Sequence, residues 1–174
     1  MKKKISMFAK LCLVFVMMFG VVGCGKEEKV SPLSSKEYEA MEYSAGESDL
    51  LFDFFMSDKL SEFSKIMFNF SDYIMKHEKE LDGGKRFSDF DDYEAEMDAY
   101  YKWCYQVTNF DMANVPADYV RAWNRLKEIA IYSKDCMDKI YNCDSEERAS
   151  IVQEMSVKVT NDLNSIVGLM PLAH

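Results

Sequence analysis

"MSDKLSEFSKIMFNFSDYIMKHEKELDGG", residues 56–84, decides the fold. Met56, Leu60, Phe63, Met67, Phe70, Ile74, His77 and Leu81 recur at alternating steps of four and three. At 3.6 residues per turn, such a row stays on one side of a helix, and the alternation marks a seam that packs lengthwise against other helices. Gly83-Gly84 then stops the helix. The helical signal reaches back to Ser35. Gly46 followed by Ser48-Asp49 offers a break and a fresh N-cap there, so residues 35–81 read either as one long helix or as two with a break near Gly46.

Downstream, the same rhythm returns three times. Ser88-x-x-Asp91 reads as a capping box, followed by Phe90, Tyr93, Met97, Tyr100, Cys104 and Val107, with the helix fading near Phe110. Pro116 suits an early helical position, where its missing N–H does no harm. Tyr119, Trp123, Leu126, Ala130, Ser133, Met137 and Ile140 form the third seam. Asp144-x-x-Glu147 opens a fourth helix with the face Val152, Met155, Val159, Leu163, Ile166 and Met170, ended by Gly168 and Pro171. No run alternates as a strand would. Short loops make sequential helices antiparallel, so residues 36–174 are expected to be all-α: an antiparallel up-down bundle of about four helices, the first of them long.

Register follows from where the chain folds back. A turn at Gly83-Gly84 sets His77 level with Asp92 and Phe110 opposite residue 59, leaving everything before Met56 without a sequential neighbour. A turn about residues 113–114 sets Cys104 level with Trp123. The stretch without a neighbour contains "LLFDFFM", residues 50–56, and one narrow seam does not hide that many large side chains. Two readings stand. The cluster bends over to close the open end of the bundle, or Leu50, Leu51, Phe54, Phe55 and Met56 form an exposed patch that docks a partner.

The N-terminus is of another kind. Met1-Lys2-Lys3-Lys4 precedes an apolar stretch broken only by Lys10, and Leu11 to Gly25 carries no charge. This is the layout of a secretory signal, and at about 22 Å as a helix the uncharged window is short for a hydrocarbon core of about 30 Å. Val21-Val22-Gly23-Cys24 resembles the lipobox of bacterial lipoproteins, with Val in the position usually held by Leu. That resemblance implies removal of residues 1–23, lipidation of Cys24 and residence on the extracytoplasmic face of the cell membrane. Residues 24–35, polar and carrying Pro32, read as a tether. Four lysines and no acid precede Cys24, so the mature chain would keep 17 basic residues against 30 acidic ones, a net charge near −13. Such a surface repels nucleic acid and favours a cationic partner.

Few residues offer chemistry. Beyond Cys24 the mature chain has Cys104, Cys136 and Cys143, an odd count whose helical spacing keeps them apart, so free thiols are expected. His77 lies on the apolar seam and reads as a packed or paired histidine. The acidic run Asp89, Asp91, Asp92, Glu94, Glu96 and Asp98 reads as a solvated face at a helix N-terminus, since it lacks the glycine of a calcium loop. No catalytic constellation, metal set or cofactor motif is found, and no enzyme activity is expected. The expected function is binding of another envelope or extracellular macromolecule, a protein or a cationic peptide. The alternative is a carrier that holds a small apolar or cationic ligand inside the bundle.

Overall fold

The computed structural model describes residues 45–171, with side chains from residue 51 onward. Cys24, the lipobox-like tetrapeptide, the tether and the side chain of Leu50 lie outside that range. Four helices follow one another: α1 (Ala45–Asp82), α2 (Tyr93–Asn109), α3 (Val120–Ile140) and α4 (Ser145–Val167). The described residues contain no strand, and among them no helix is both long and apolar enough to cross a membrane. The all-α bundle expected from the periodicity is what forms. α1 runs without interruption through Gly46, Ser48 and Asp49, so the fresh start expected at Ser48-Asp49 does not occur.

Each seam turns inward. Met56, Phe63, Met67, Phe70, Ile74 and Leu81 of α1 are buried, with Leu60 and His77 half-buried at its margin. Successive helices pack on one another in antiparallel order. Going up α1, Phe55 meets Phe110, Phe63 meets Trp103 and His77 meets Asp92, so numbers rise on one helix as they fall on the other. The α3–α4 pair is matched in the same way, through Arg125 with Asp162 and Lys158 over Tyr132.

The turns show how the chain is stopped and restarted. Gly84 has φ +98, a left-handed conformation that side chains avoid, and Lys85 N donates to Glu80 O while Gly84 N donates to Leu81 O. These two bonds satisfy carbonyls that the end of α1 would otherwise leave open. The capping box expected at Ser88 is not formed: residues 87–89 make a 3-10 turn, Arg86 N donates to Asp89 Oδ2 at 2.8 Å, and α2 starts later, at Tyr93. Asp144 does cap α4, its Oδ1 accepting from Glu146 N and Glu147 N at 3.0 and 2.9 Å. Such a cap contributes about 1 kcal/mol.

Between α2 and α3 the chain makes two further 3-10 turns, Met112–Asn114 and Ala117–Tyr119, before α3 begins. Pro116 thus opens a 3-10 turn rather than the helix itself. Those turns take up chain and move the register by about two helical turns from the expected one. Cys104 Sγ lies 3.7 Å from Ala130 O, not level with Trp123, and Tyr100 Oη donates to Ser133 Oγ at 2.8 Å.

The end of the bundle where α1 overhangs is closed by its own aromatic cluster. Phe52, Phe55 and Met56 are fully buried. Phe55 stacks on Trp123 at 5.6 Å with an interplanar angle of 23°, and Phe52 meets Tyr119 and Trp123 edge-on at 5.2 and 5.5 Å. Of the patch considered from sequence, Phe55 and Met56 therefore belong to the core, Leu51 is half-buried and Phe54 stays exposed. The opposite end is stapled by Arg148 in the first turn of α4. It is fully buried, donates through Nη2 to Leu81 O at 3.0 Å and through Nη1 to Lys85 O at 3.2 Å, and lies over the Phe87 ring.

Candidate functional site: a tyrosine and carboxylate cleft

His77 sits where sequence places it, beside Asp92, between the rings of Tyr73 at 4.6 Å and Phe90 at 4.4 Å, with Nδ1 3.0 Å from Glu80 Oε2. It is packed and paired. Its neighbours form a network across the α1–α2 junction: Tyr73 Oη donates to Asp92 Oδ1 at 2.8 Å, Lys76 Nζ to Asp92 Oδ2 at 3.0 Å, and Lys85 Nζ to Glu80 Oε1 at 2.9 Å. The Tyr73 hydroxyl, then Lys76, hold the Asp92 carboxyl below its ordinary 3.8, and Lys85, then His77, hold Glu80 below its ordinary 4.5.

A depressed carboxylate contributes stability that is fully present above its ordinary value and gone once pH has fallen through the lowered one. The melting temperature of the wild type should therefore exceed that of Asp92→Asn near neutral pH, and that margin should be lost as pH falls below about 4. Circular dichroism melts between about pH 7 and 2 check it, and a margin that persists undiminished below about pH 3 contradicts the network.

The three described cysteines are free and buried. Burial pushes the Cys104 thiol up to about 11 and raises Cys136 and Cys143 as well. None is poised as a thiolate nucleophile, which requires a lowered value. Among the described residues no group of three His, Cys, Asp or Glu side chains converges as a metal site would.

The arrangement with most binding character lies between α2 and the end of α3. Tyr93, Glu94, Asp98 and Tyr101 of α2 and Asp138 and Tyr141 from the α3 side line an open cleft of about 440 Å³. Helical spacing assembles it: Glu94 and Asp98 are four apart, Tyr93 and Tyr101 eight apart, and Asp138 and Tyr141 three apart, so each set shares one face. The Tyr93 and Tyr141 rings lie 5.1 Å apart, tilted by 39°, and Tyr101 Oη donates to Asp138 Oδ1 at 3.2 Å. Burial, then the charge of Asp138, pushes the Tyr101 phenol up to about 12, so it keeps its proton at neutral pH. Tyr93 is only 2 % exposed, and its hydroxyl, beside the Tyr101 phenol, completes no hydrogen bond among the described residues.

Two carboxylates of the cleft already hold lysines. Lys102 Nζ is 2.6 Å from Asp98 Oδ2, and Lys134 Nζ is 2.5 Å from Asp138 Oδ2 and 5.6 Å from the Tyr101 ring centroid. Glu94 makes no ion pair among the described residues.

In the sequence, the acidic run from Asp89 to Asp98 reads as one solvated helical face. In the structure Asp89, Asp91 and Asp92 precede α2, Asp92 serves the His77 network, and only Glu94 and Asp98 reach the cleft. The missing signal was the partner face on α3, which depends on the α2–α3 register. A second cleft of about 720 Å³, lined by Tyr132, Glu154, Lys158 and Asp162 among others, is more open, and Lys158 and Arg125 already meet Asp162 in it. Compared with family models, with curated proteins and with solved structures, the chain matches none.

Proposed function

We propose that this chain is a lipoprotein, cut before Cys24 and acylated there, whose helical bundle stands on the extracytoplasmic face of the cell membrane and binds a cationic protein without catalysis. The anchor rests on Val21-Val22-Gly23-Cys24 after a lysine-led apolar run. Two acyl chains, at about 0.8 kcal/mol per buried methylene, would exceed the marginal hold of one.

The binding role rests on one structural observation. Phe54, Phe68 and Met75 are 42, 51 and 50 % exposed on a single helix. They are fourteen and seven residues apart, so they share a side of α1 in a row about 30 Å long. A row of large apolar side chains on a surface dominated by acidic residues suits an apolar strip bordered by basic residues on the partner.

Two measurements test the parts separately. Radiolabelled palmitate should enter the wild type and not Cys24→Ser; equal labelling removes the anchor and leaves the binding role standing. A photocrosslinking residue at position 68 or 75 should yield one discrete, salt-sensitive adduct that is absent when the same group replaces Tyr105, which is exposed on α2. The same products from all three positions would remove the docking face.

A further inference from the structure

We infer that the cleft lined by Tyr93, Glu94, Asp98, Tyr101, Asp138 and Tyr141 binds a single primary alkylammonium group, its methylenes against the tyrosine rings and its N–H donors toward Tyr93 Oη and the Glu94 carboxylate. The inference rests neither on the anchor nor on the exposed row of α1.

Three features lead to it. First, the cleft combines three phenol rings with three carboxylates. Ring faces and carboxylates both attract cations, and the rings also accept the apolar stem behind the charge. Second, the chain's own lysines show the chemistry at work, because the Lys134 ammonium settles between Asp138 and the Tyr101 ring. With Lys102 on Asp98 and Lys134 on Asp138, Glu94 is the cleft carboxylate without an ion pair among the described residues, which leaves the described cleft one positive charge short of balance. Third, the Tyr93 hydroxyl is buried beside the Tyr101 phenol, which is committed to Asp138, and completes no hydrogen bond among the described residues. A buried polar group left so is costly, and a donor entering the cleft would relieve it. A quaternary ammonium has no N–H to offer, whereas a primary one has three.

The same ammonium can come from a free amine or from a lysine of a partner protein. Pentylammonium and 1-pentanol, which differ in charge at equal heavy-atom count, are titrated into the full-length chain by calorimetry. Pentylammonium should bind saturably, and 1-pentanol about tenfold more weakly or not at all. Glu94→Gln should weaken pentylammonium about tenfold, and Lys134→Gln, which removes the internal competitor from an exposed position, should strengthen it severalfold. Equal binding of the two probes, no saturable binding, or affinities unchanged in both variants would each overturn the inference. Tighter binding of N-acetyl-lysine N-methylamide than of pentylammonium would support it and assign the ammonium to a protein side chain. Tighter binding of pentylammonium than of the lysine analogue would support it and assign a free amine.

Discussion

Replacing Arg148 with methionine should lower the thermal midpoint by about 10 °C, a loss of roughly 2–4 kcal/mol in a domain of this size. Methionine keeps an apolar stem over Phe87 but gives nothing to Leu81 O or Lys85 O, which Arg148 reaches at 3.0 and 3.2 Å. A buried cation is costly to desolvate, and burial accordingly pulls the Arg148 pKa below its ordinary value. Exchanging a buried ion pair for apolar residues is often neutral, because both partners are replaced together. Here the partners are main-chain carbonyls, one in the last turn of α1 and one in the loop just after it, which no substitution removes. Leu81 O keeps a bond from Gly84 N, so the larger share of the loss falls on Lys85 O.

Arg148→Lys should fall between wild type and methionine, since one ammonium cannot reproduce the fork of a guanidinium. Arg148→Ala should be the worst, adding a void beside Phe87. Chemical denaturation and calorimetry rank the series. A methionine variant as stable as wild type would show that desolvation of the guanidinium outweighs its bonds to the helix end.

The four helices were legible because each carries a one-dimensional signal: apolar residues at steps of three and four mark a buried side whatever lies opposite. That is why the α1 row from Met56 to Leu81 and the α3 row from Tyr119 to Ile140 come out buried or half-buried. Register between helices is not one-dimensional. The α1–α2 match holds at His77 and Asp92, beside the compact Gly83-Gly84 turn, and drifts by about one helical turn at the far end, where Phe110 meets Phe55 rather than residue 59. The α2–α3 match shifted because residues 112–119 coil into two 3-10 turns that no periodicity announces.

The cleft inherits that blindness. Under the expected register Tyr101 would face residue 126, and Asp138 would lie far from it. Arg148 was missed for another reason: an arginine in the first turn of a helix reads as solvated, and nothing local reveals that the carbonyl end of α1 is waiting for it. Both omissions are contacts between distant parts of the chain, and both carry polar chemistry that a hydrophobic pattern does not register.

Phe54 and Phe55 are neighbours with opposite expected behaviour. Phe55→Ala should cost about 3–5 kcal/mol, because the ring is fully buried between Trp123 and Phe110 and its removal leaves a cavity that the surrounding aromatics fill only in part. That loss corresponds to a midpoint shift of roughly 10–20 °C. Phe54→Ala, exposed one residue away, should stay within about 0.5 kcal/mol of wild type. The contrast decides what the overhanging end of α1 is for. If Phe52, Phe55 and Met56 close the bundle, the three residues act as one unit with Tyr119 and Trp123, and Trp123→Ala combined with Phe55→Ala should cost less than the sum of the two singles. Were Phe55→Ala instead harmless to stability while abolishing a photocrosslink at position 54, the end of α1 would be a free docking surface. Thermal and urea unfolding of the two singles and the double variant distinguish these cases, because a ring that helps build the core registers in the isolated chain, and a ring that serves only a partner registers when the partner is there.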